Sequence, residues 1–204
     1  MPKVVTESER AQKQRIILDA AAAEIARFGY DRANINTIAE RAGIGRGTIY
    51  LYFASKDDVL SALLDTIGAM IDDAVTTALL GDMPWHERLR RLTQAFAALA
   101  DAHEDFFRVH VSALHGVNRA IGAPMAQWLA RSVDRLANAL QQAIDRGEIR
   151  PLASLSGATL ILGALSSLAL LPRALSQSDE HASERAETLA TLLWQGITPT
   201  YEQK

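Results

Sequence analysis

Apolar residues along this chain recur at intervals of three and four, and no segment shows the alternating Val/Ile/Thr pattern of a half-buried strand. Ala, Leu, Arg, Glu and Gln dominate nearly everywhere, which favours helix throughout and predicts an all-α fold. A first helix is predicted over about 9–28, where Ile17, Ala21 and Ile25 repeat at one-turn spacing and Leu18 and Phe28 widen the apolar face. Gly29 is placed to end it as a C-cap glycine. Short helices follow at about 37–42, stopped by Gly43, and at about 46–52, before a longer one begins near Lys56. The remainder predicts helices near 56–80, 84–101, 103–118, 123–146, 154–174 and 183–196. Their separators are Gly81-Asp82, Gly122, Gly147 with Pro151, and the polar stretch 176–179. There is no internal repeat.

The stretch 151–172 holds no charge and is about long enough to cross a bilayer. Ser154, Ser156, Thr159, Ser166 and Ser167 dilute it, and Gly157, Gly163 and Ala164 permit close helix approach. The pattern therefore predicts a helix buried in the protein or in a dimer interface, with no membrane role.

A length of 204 residues with 49% hydrophobic content supports a real core without staples. No cysteine is present, which excludes disulfides, thiolate zinc sites and a cysteine nucleophile. Residues 1–9 lack the apolar core of a secretory signal, so a cytoplasmic location is expected. The net charge of −3 conceals an asymmetry: residues 1–56 carry nine Lys+Arg against six Asp+Glu, and the rest carries twelve against eighteen. A basic front joined to an acidic body suits a module that faces nucleic acid, and sets a domain boundary between 1–55 and 56–204.

The informative run is 34–53, Asn-Ile-Asn-Thr-Ile-Ala-Glu-Arg-Ala-Gly-Ile-Gly-Arg-Gly-Thr-Ile-Tyr-Leu-Tyr-Phe. Ile38 and Ala39 begin an apolar face, Ala42 is small enough for a crossing helix, and Gly43 supplies positive φ for a turn. Ile44 and Ile49 anchor a second helix on the first, leaving Arg46, Gly47, Thr48, Tyr50 and Tyr52 outward. Arg can bond guanine bidentately or reach phosphate, Thr can meet a base edge or a thymine methyl, and Tyr hydroxyls can bond phosphate.

These residues resemble the TetR family of transcriptional regulators, with Ile17-Leu18-Asp19-Ala20-Ala21, Gly29-Tyr30, Ile38-Ala39, Ala42-Gly43, Gly47-Thr48-Ile49-Tyr50, Phe53, Ser55-Lys56 and Leu60 matching its N-terminal pattern. The resemblance covers roughly 12–65; beyond it only helical character is shared. It implies that Thr37 caps the second helix and touches phosphate, that Arg46 and Thr48 enter the major groove beside Gly47, and that Tyr50, Tyr52 and Lys56 grip the backbone. Gly45 departs from the pattern where a capping serine is common, Tyr52 stands where histidine is frequent, and Ile25 replaces a frequent phenylalanine.

Other chemistry finds little footing. The string from Gly43 to Thr48 has neither the preceding strand nor the third glycine of a dinucleotide cradle. His103 and His110 lie seven residues apart, about 10 Å along a helix, too far for one ion. No nucleophile elbow or compact triad is present, so no catalytic residue, metal or cofactor is expected. Met70, Met83, Trp85, Phe96, Phe106, Phe107, Met125 and Trp128 collect in the C-terminal part. As core or as cavity lining, Met70, Trp85, Phe106, Phe107, Met125 and Trp128 form the candidate apolar effector site, with His110 as its polar handle.

The expectation is a homodimer joined through helices at about 154–174 and 183–196, binding a near-palindromic double-stranded operator and released as a repressor by a small apolar effector. Two alternatives stay open. The helical body is a small-molecule carrier or enzyme whose front module does not read sequence, or it is a dimeric scaffold without an effector cavity.

Overall fold

The computed structural model describes residues 6–114, 122–168 and 182–198, with side chains placed over 6–113, 127–167 and 184–198. Regular structure among the described residues is entirely helical.

Helix α1 (Glu7–Phe28) opens on a capping box: Thr6 Oγ1 accepts from the Glu9 N–H at 3.2 Å, and the Glu9 carboxylate accepts from the Thr6 N–H at 2.9 Å. It ends at Gly29, whose φ of +78° costs a glycine nothing. Helix α2 (Ile35–Arg41) is capped by Asn34, whose Oδ1 accepts from the Asn36 N–H at 2.8 Å. Thr37 therefore lies inside α2 and does not cap it, because the helix begins two residues earlier than the apolar pattern alone implied.

After Gly43 (φ +65°), α3 (Arg46–Ile49) is shorter than the predicted 46–52. The N–H groups of Tyr52 and Phe53 both converge on the Ile49 carbonyl, so the hydrogen-bond ladder tightens and ends there. Ser55 then caps α4 (Lys56–Leu79) by accepting from the Asp58 N–H at 3.1 Å, with Asp57 and Asp58 at the positive end of the helix dipole.

Helix α5 (Trp85–Ala102) starts against a distant residue: the Trp85 N–H donates to Glu148 Oε2 at 2.7 Å. Nearby, the buried Arg88 holds the preceding turn by donating to the carbonyls of Gly81 and Met83 at 2.9 and 3.1 Å. Helices α6 (Glu104–Leu114), α7 (Gly122–Asp145), α8 (Ser154–Leu168) and α9 (Ala182–Ile197) complete the body. Residues 115–118 and 169–174, also expected to be helical, lie outside the described residues.

Helix α4 is the central strut. It packs on α1, α5, α6 and α7, while α5 also packs on α8 and α9, and α7 on α8. Leu63, Leu64, Ile67, Leu89, Leu92, Phe96, Phe107 and Leu136 are fully buried along these seams, each contributing about 1.5–3 kcal/mol by burial. At Gly68 an added Cβ would lie 2.5 Å from Trp128 Cδ1, so α4 and α7 meet there only because position 68 has no side chain. The uncharged α8 turns Ala158, Ile161, Leu162 and Leu165 inward. No helix among the described residues is long and apolar enough to cross a membrane.

Candidate nucleic-acid interface

The front of the molecule is built so that α3 stands proud of its support. Ile38, Ala39 and Ile49 are buried where α2 and α3 cross, and the Ile44 N–H reaches back to the Ala39 carbonyl at 3.0 Å. Fixed in this way, α3 leaves Arg46 and Gly47 exposed and Thr48 half-buried. Tyr50 is 45% exposed and Leu51, which the sequence did not single out, is 73% exposed. Leu51 becomes outward because α3 stops at Ile49; a helix continuing to Tyr52 gave no reason to single it out. Tyr52 is half-buried, with its ring against the core and the Arg10 guanidinium 5.7 Å from its centroid. Thr37 is half-buried on α2.

Lys56 does not project toward this surface. Its ammonium donates to the carbonyls of Tyr30, Asp31 and Ala33 at 2.9, 3.3 and 3.3 Å, using all three protons. It also lies 4.4 Å from the Tyr30 ring centroid. The Tyr30 hydroxyl in turn donates to Asp57. Burial, that hydrogen bond, and the charges of Asp57 and Asp31 push the Tyr30 phenol up to about 12. The first residues of α4 therefore clasp the α1–α2 turn, and Glu24, buried on α1, faces Arg41 of α2 at 3.9 Å. The expectation that Lys56 grips an external phosphate is corrected: three backbone acceptors already engage its charge.

In the body, the aromatic and methionine residues do not converge on one cavity. Trp85, Phe107 and His110 are sealed in the core. Met70 and Phe106 line a cleft of about 260 Å³ between α1, α4 and the start of α6, together with Arg15, Leu18 and His103. Trp128 lines a separate groove of about 490 Å³ between α4 and α7. The Met125 side chain lies outside the described residues. Periodicity reports that a side chain points inward, not which void it borders, and this is why the collected set divides.

His110 and Trp128 form a buried pair with ring centroids 5.3 Å apart. Neither His110 Nδ1 nor Trp128 Nε1 has a hydrogen-bond partner among the described residues. Burial pushes the His110 imidazole down to about 4, so it is neutral at physiological pH. No group of His, Asp and Glu among the described residues could hold a metal ion.

Residues 17–63 match the family model described as bacterial regulatory proteins, tetR family. Among relatives, the chain is 23% identical over 144 residues to the uncharacterized HTH-type transcriptional regulator YhgD of Bacillus subtilis, covering 68% of this chain and 73% of that one. Its fold is similar to that of the transcriptional regulator FadR from Bacillus subtilis in complex with stearoyl-CoA, with a TM-score of 0.76, 24% identity, and coverage of 90% and 98%. It is also similar to AibR in complex with isovaleryl coenzyme A and operator DNA, with a TM-score of 0.75, 20% identity, and coverage of 88% and 97%.

Proposed function

Because the chain belongs, through its N-terminal domain, to the tetR family of bacterial regulatory proteins, we propose that it is a ligand-responsive repressor that reads an operator through α3. The observation that carries this reading is the exposure of Arg46, Gly47, Tyr50 and Leu51 on a short helix held rigidly from behind by Ile38, Ala39 and Ile49. In the major groove, Arg46 would meet base edges, Leu51 would offer a methyl-rich surface to thymine, and Tyr50 would reach phosphate. Thr37, Thr48 and Tyr52 flank them as lesser contacts, and Lys56 acts by positioning.

Two copies are needed to place two such helices in successive major grooves of a near-palindromic site. The apolar residues left outward on α8 and α9 favour that assembly: Leu155, Leu160 and Leu192 are 59%, 72% and 61% exposed. Along α8 they accompany the exposed Ser156, Thr159, Gly163 and Ser167, a ridge of short side chains on which a second helix could seat closely. An effector held in the body, against α4, would move the α1–α2 clasp at its end and change the spacing of the two α3 helices, so operator affinity falls by linkage. The relatives are named as transcriptional regulators.

The test is selection of bound fragments from genomic DNA by the purified chain, followed by titration of the recovered duplex. Arg46→Ala is expected to relax base preference at one position of each half-site, at about 1–3 kcal/mol. A chain that binds every duplex alike, or none, overturns the proposal.

A further inference from the structure

We propose that Arg10 of α1, seated on the Tyr52 ring, binds a phosphate of the DNA backbone beside the groove read by α3, and supplies the grip that Lys56 is not free to make. This deepens the regulator reading and rests on it for the DNA.

The cations of the front module differ in what already holds them. Lys56 donates to three carbonyls, Arg32 Nε donates to the Phe28 carbonyl at 3.0 Å, and Arg41 faces Glu24 at 3.9 Å. Arg27 lies on the Phe28 ring at the opposite end of α1, and Arg15 lines a cleft beside Asp19, Asp101 and Asp105. Besides Arg46, the described cations that remain are Arg10 and Lys13, both exposed on α1. Only Arg10 is tied to the reading surface, and it lies ahead of residues 17–63, so the family match does not assign it.

Local structure fixes both halves of the contact. Helix α1 begins at Glu7 and runs for almost three turns before Ile17, its first buried residue, and this stretch is nevertheless held helical by the capping box. The box also occupies the neighbouring Glu9 carboxylate, which accepts from the Thr6 N–H and hydroxyl at 2.9 and 3.1 Å. Across from it, the Tyr52 N–H donates to the Ile49 carbonyl at 2.9 Å, which sets Tyr52 just beyond α3 and next to the exposed Tyr50 and Leu51.

The Arg10 guanidinium carbon is 5.7 Å from the Tyr52 centroid, within reach of a cation–π contact. That contact uses the face of the guanidinium and leaves its N–H fork at the edge. No hydrogen bond or ion pair engages the fork among the described residues. A planar set of donors, charged and already ordered by a ring, matches the paired oxygens of a phosphodiester and loses little side-chain freedom on binding it. Tyr52 thus acts as a positioning residue through its ring.

Fluorescence anisotropy with the full chain tests this on the selected duplex and on a scrambled one across a salt series. Arg10→Gln is expected to weaken both duplexes by the same factor, about tenfold at low salt, since a phosphate contact carries no sequence information. The slope of log K against log salt should fall by about 0.9 for each chain bound. Arg10→Lys should restore the parent slope but remain about threefold weaker, because an ammonium does not stack flat on a ring. Tyr52→Leu keeps an apolar group against the core and removes the seat; in that background Arg10→Gln should cost no more than about threefold. An unmoved slope in Arg10→Gln, a changed ratio between the two duplexes, no rescue of the slope by Arg10→Lys, or full additivity with Tyr52→Leu overturns the proposal. A parent chain that binds no duplex overturns the regulator reading with it, whereas a parent that binds and an Arg10→Gln variant with the parent slope overturn this proposal alone.

Discussion

Gly47 sits in α3 with ordinary negative φ, and an added Cβ there would meet nothing within 4 Å. Nothing inside the chain requires a glycine, although glycine in a helix costs about 0.8–1 kcal/mol relative to alanine. We propose that the reason for it lies outside the chain, in a DNA backbone or base edge that comes too close for a methyl group. Gly47→Ala is expected to leave the melting temperature unchanged or raised, and to lower operator affinity by about tenfold or more in fluorescence anisotropy. Unchanged affinity would remove position 47 from the contact surface. Gly43 is the opposite case, since its φ of +65° makes alanine strained in the fold itself. His110 allows a second test at this scale. Its imidazole sits at about 4 in the folded chain against an ordinary value near 6.5, so between those values the unfolded chain binds the extra proton. Stability is then full above about pH 6.5 and falls by about 3 kcal/mol as pH drops through 4. His110→Phe keeps a ring in the site and removes the titration, so urea unfolding at pH 7 and pH 5 should show a smaller loss than in the parent chain.

Among the elements, the helices were legible because their stops are local: Gly29, Gly43, Gly81 and Gly147 all adopt positive φ where the pattern breaks. Caps were less legible. Asn34 belongs to the residue types that begin helices, but the first strong apolar position, Ile38, drew the expected start forward to Thr37. The use of Lys56 was not legible at all, because its three acceptors belong to a turn more than twenty residues earlier and carbonyl positions leave no trace in side-chain pattern. The clasp made by Lys56 and Tyr30 therefore needs its own experiment. Lys56→Met keeps the apolar stem and deletes the donors, freeing the turn between α1 and α2. Operator affinity should fall for all sequences alike, amide exchange at residues 30–33 should accelerate, and the slope of log K against log salt should stay as in the parent chain. A direct phosphate contact would instead lower that slope by about one.

For the whole molecule, a basic reading end and an acidic body orient the chain on DNA before any contact forms, since phosphate attracts one end and repels the other. That orientation does not supply a second α3, and the spacing of two half-sites must come from the dimer. The uncharged stretch 151–172 already suggested an interface, yet only the packing separates its two faces: Ala158, Ile161 and Leu165 inward, Leu155 and Leu160 outward. Burying Leu160 and Leu192 against a second copy would remove from water the most exposed leucines of α8 and α9, at about 1.5–3 kcal/mol for each. Leu160→Glu places a charge in that seam and touches nothing in the core of the chain. Sedimentation should show the parent as a dimer and the variant shifted toward monomer, with helical content retained. Operator affinity should fall by about a hundredfold, while binding to a single half-site, which needs only one α3, stays within about twofold. If the variant remains dimeric with full operator affinity, the two copies join through another face, and the lever from α4 to the spacing of the reading helices must be sought there.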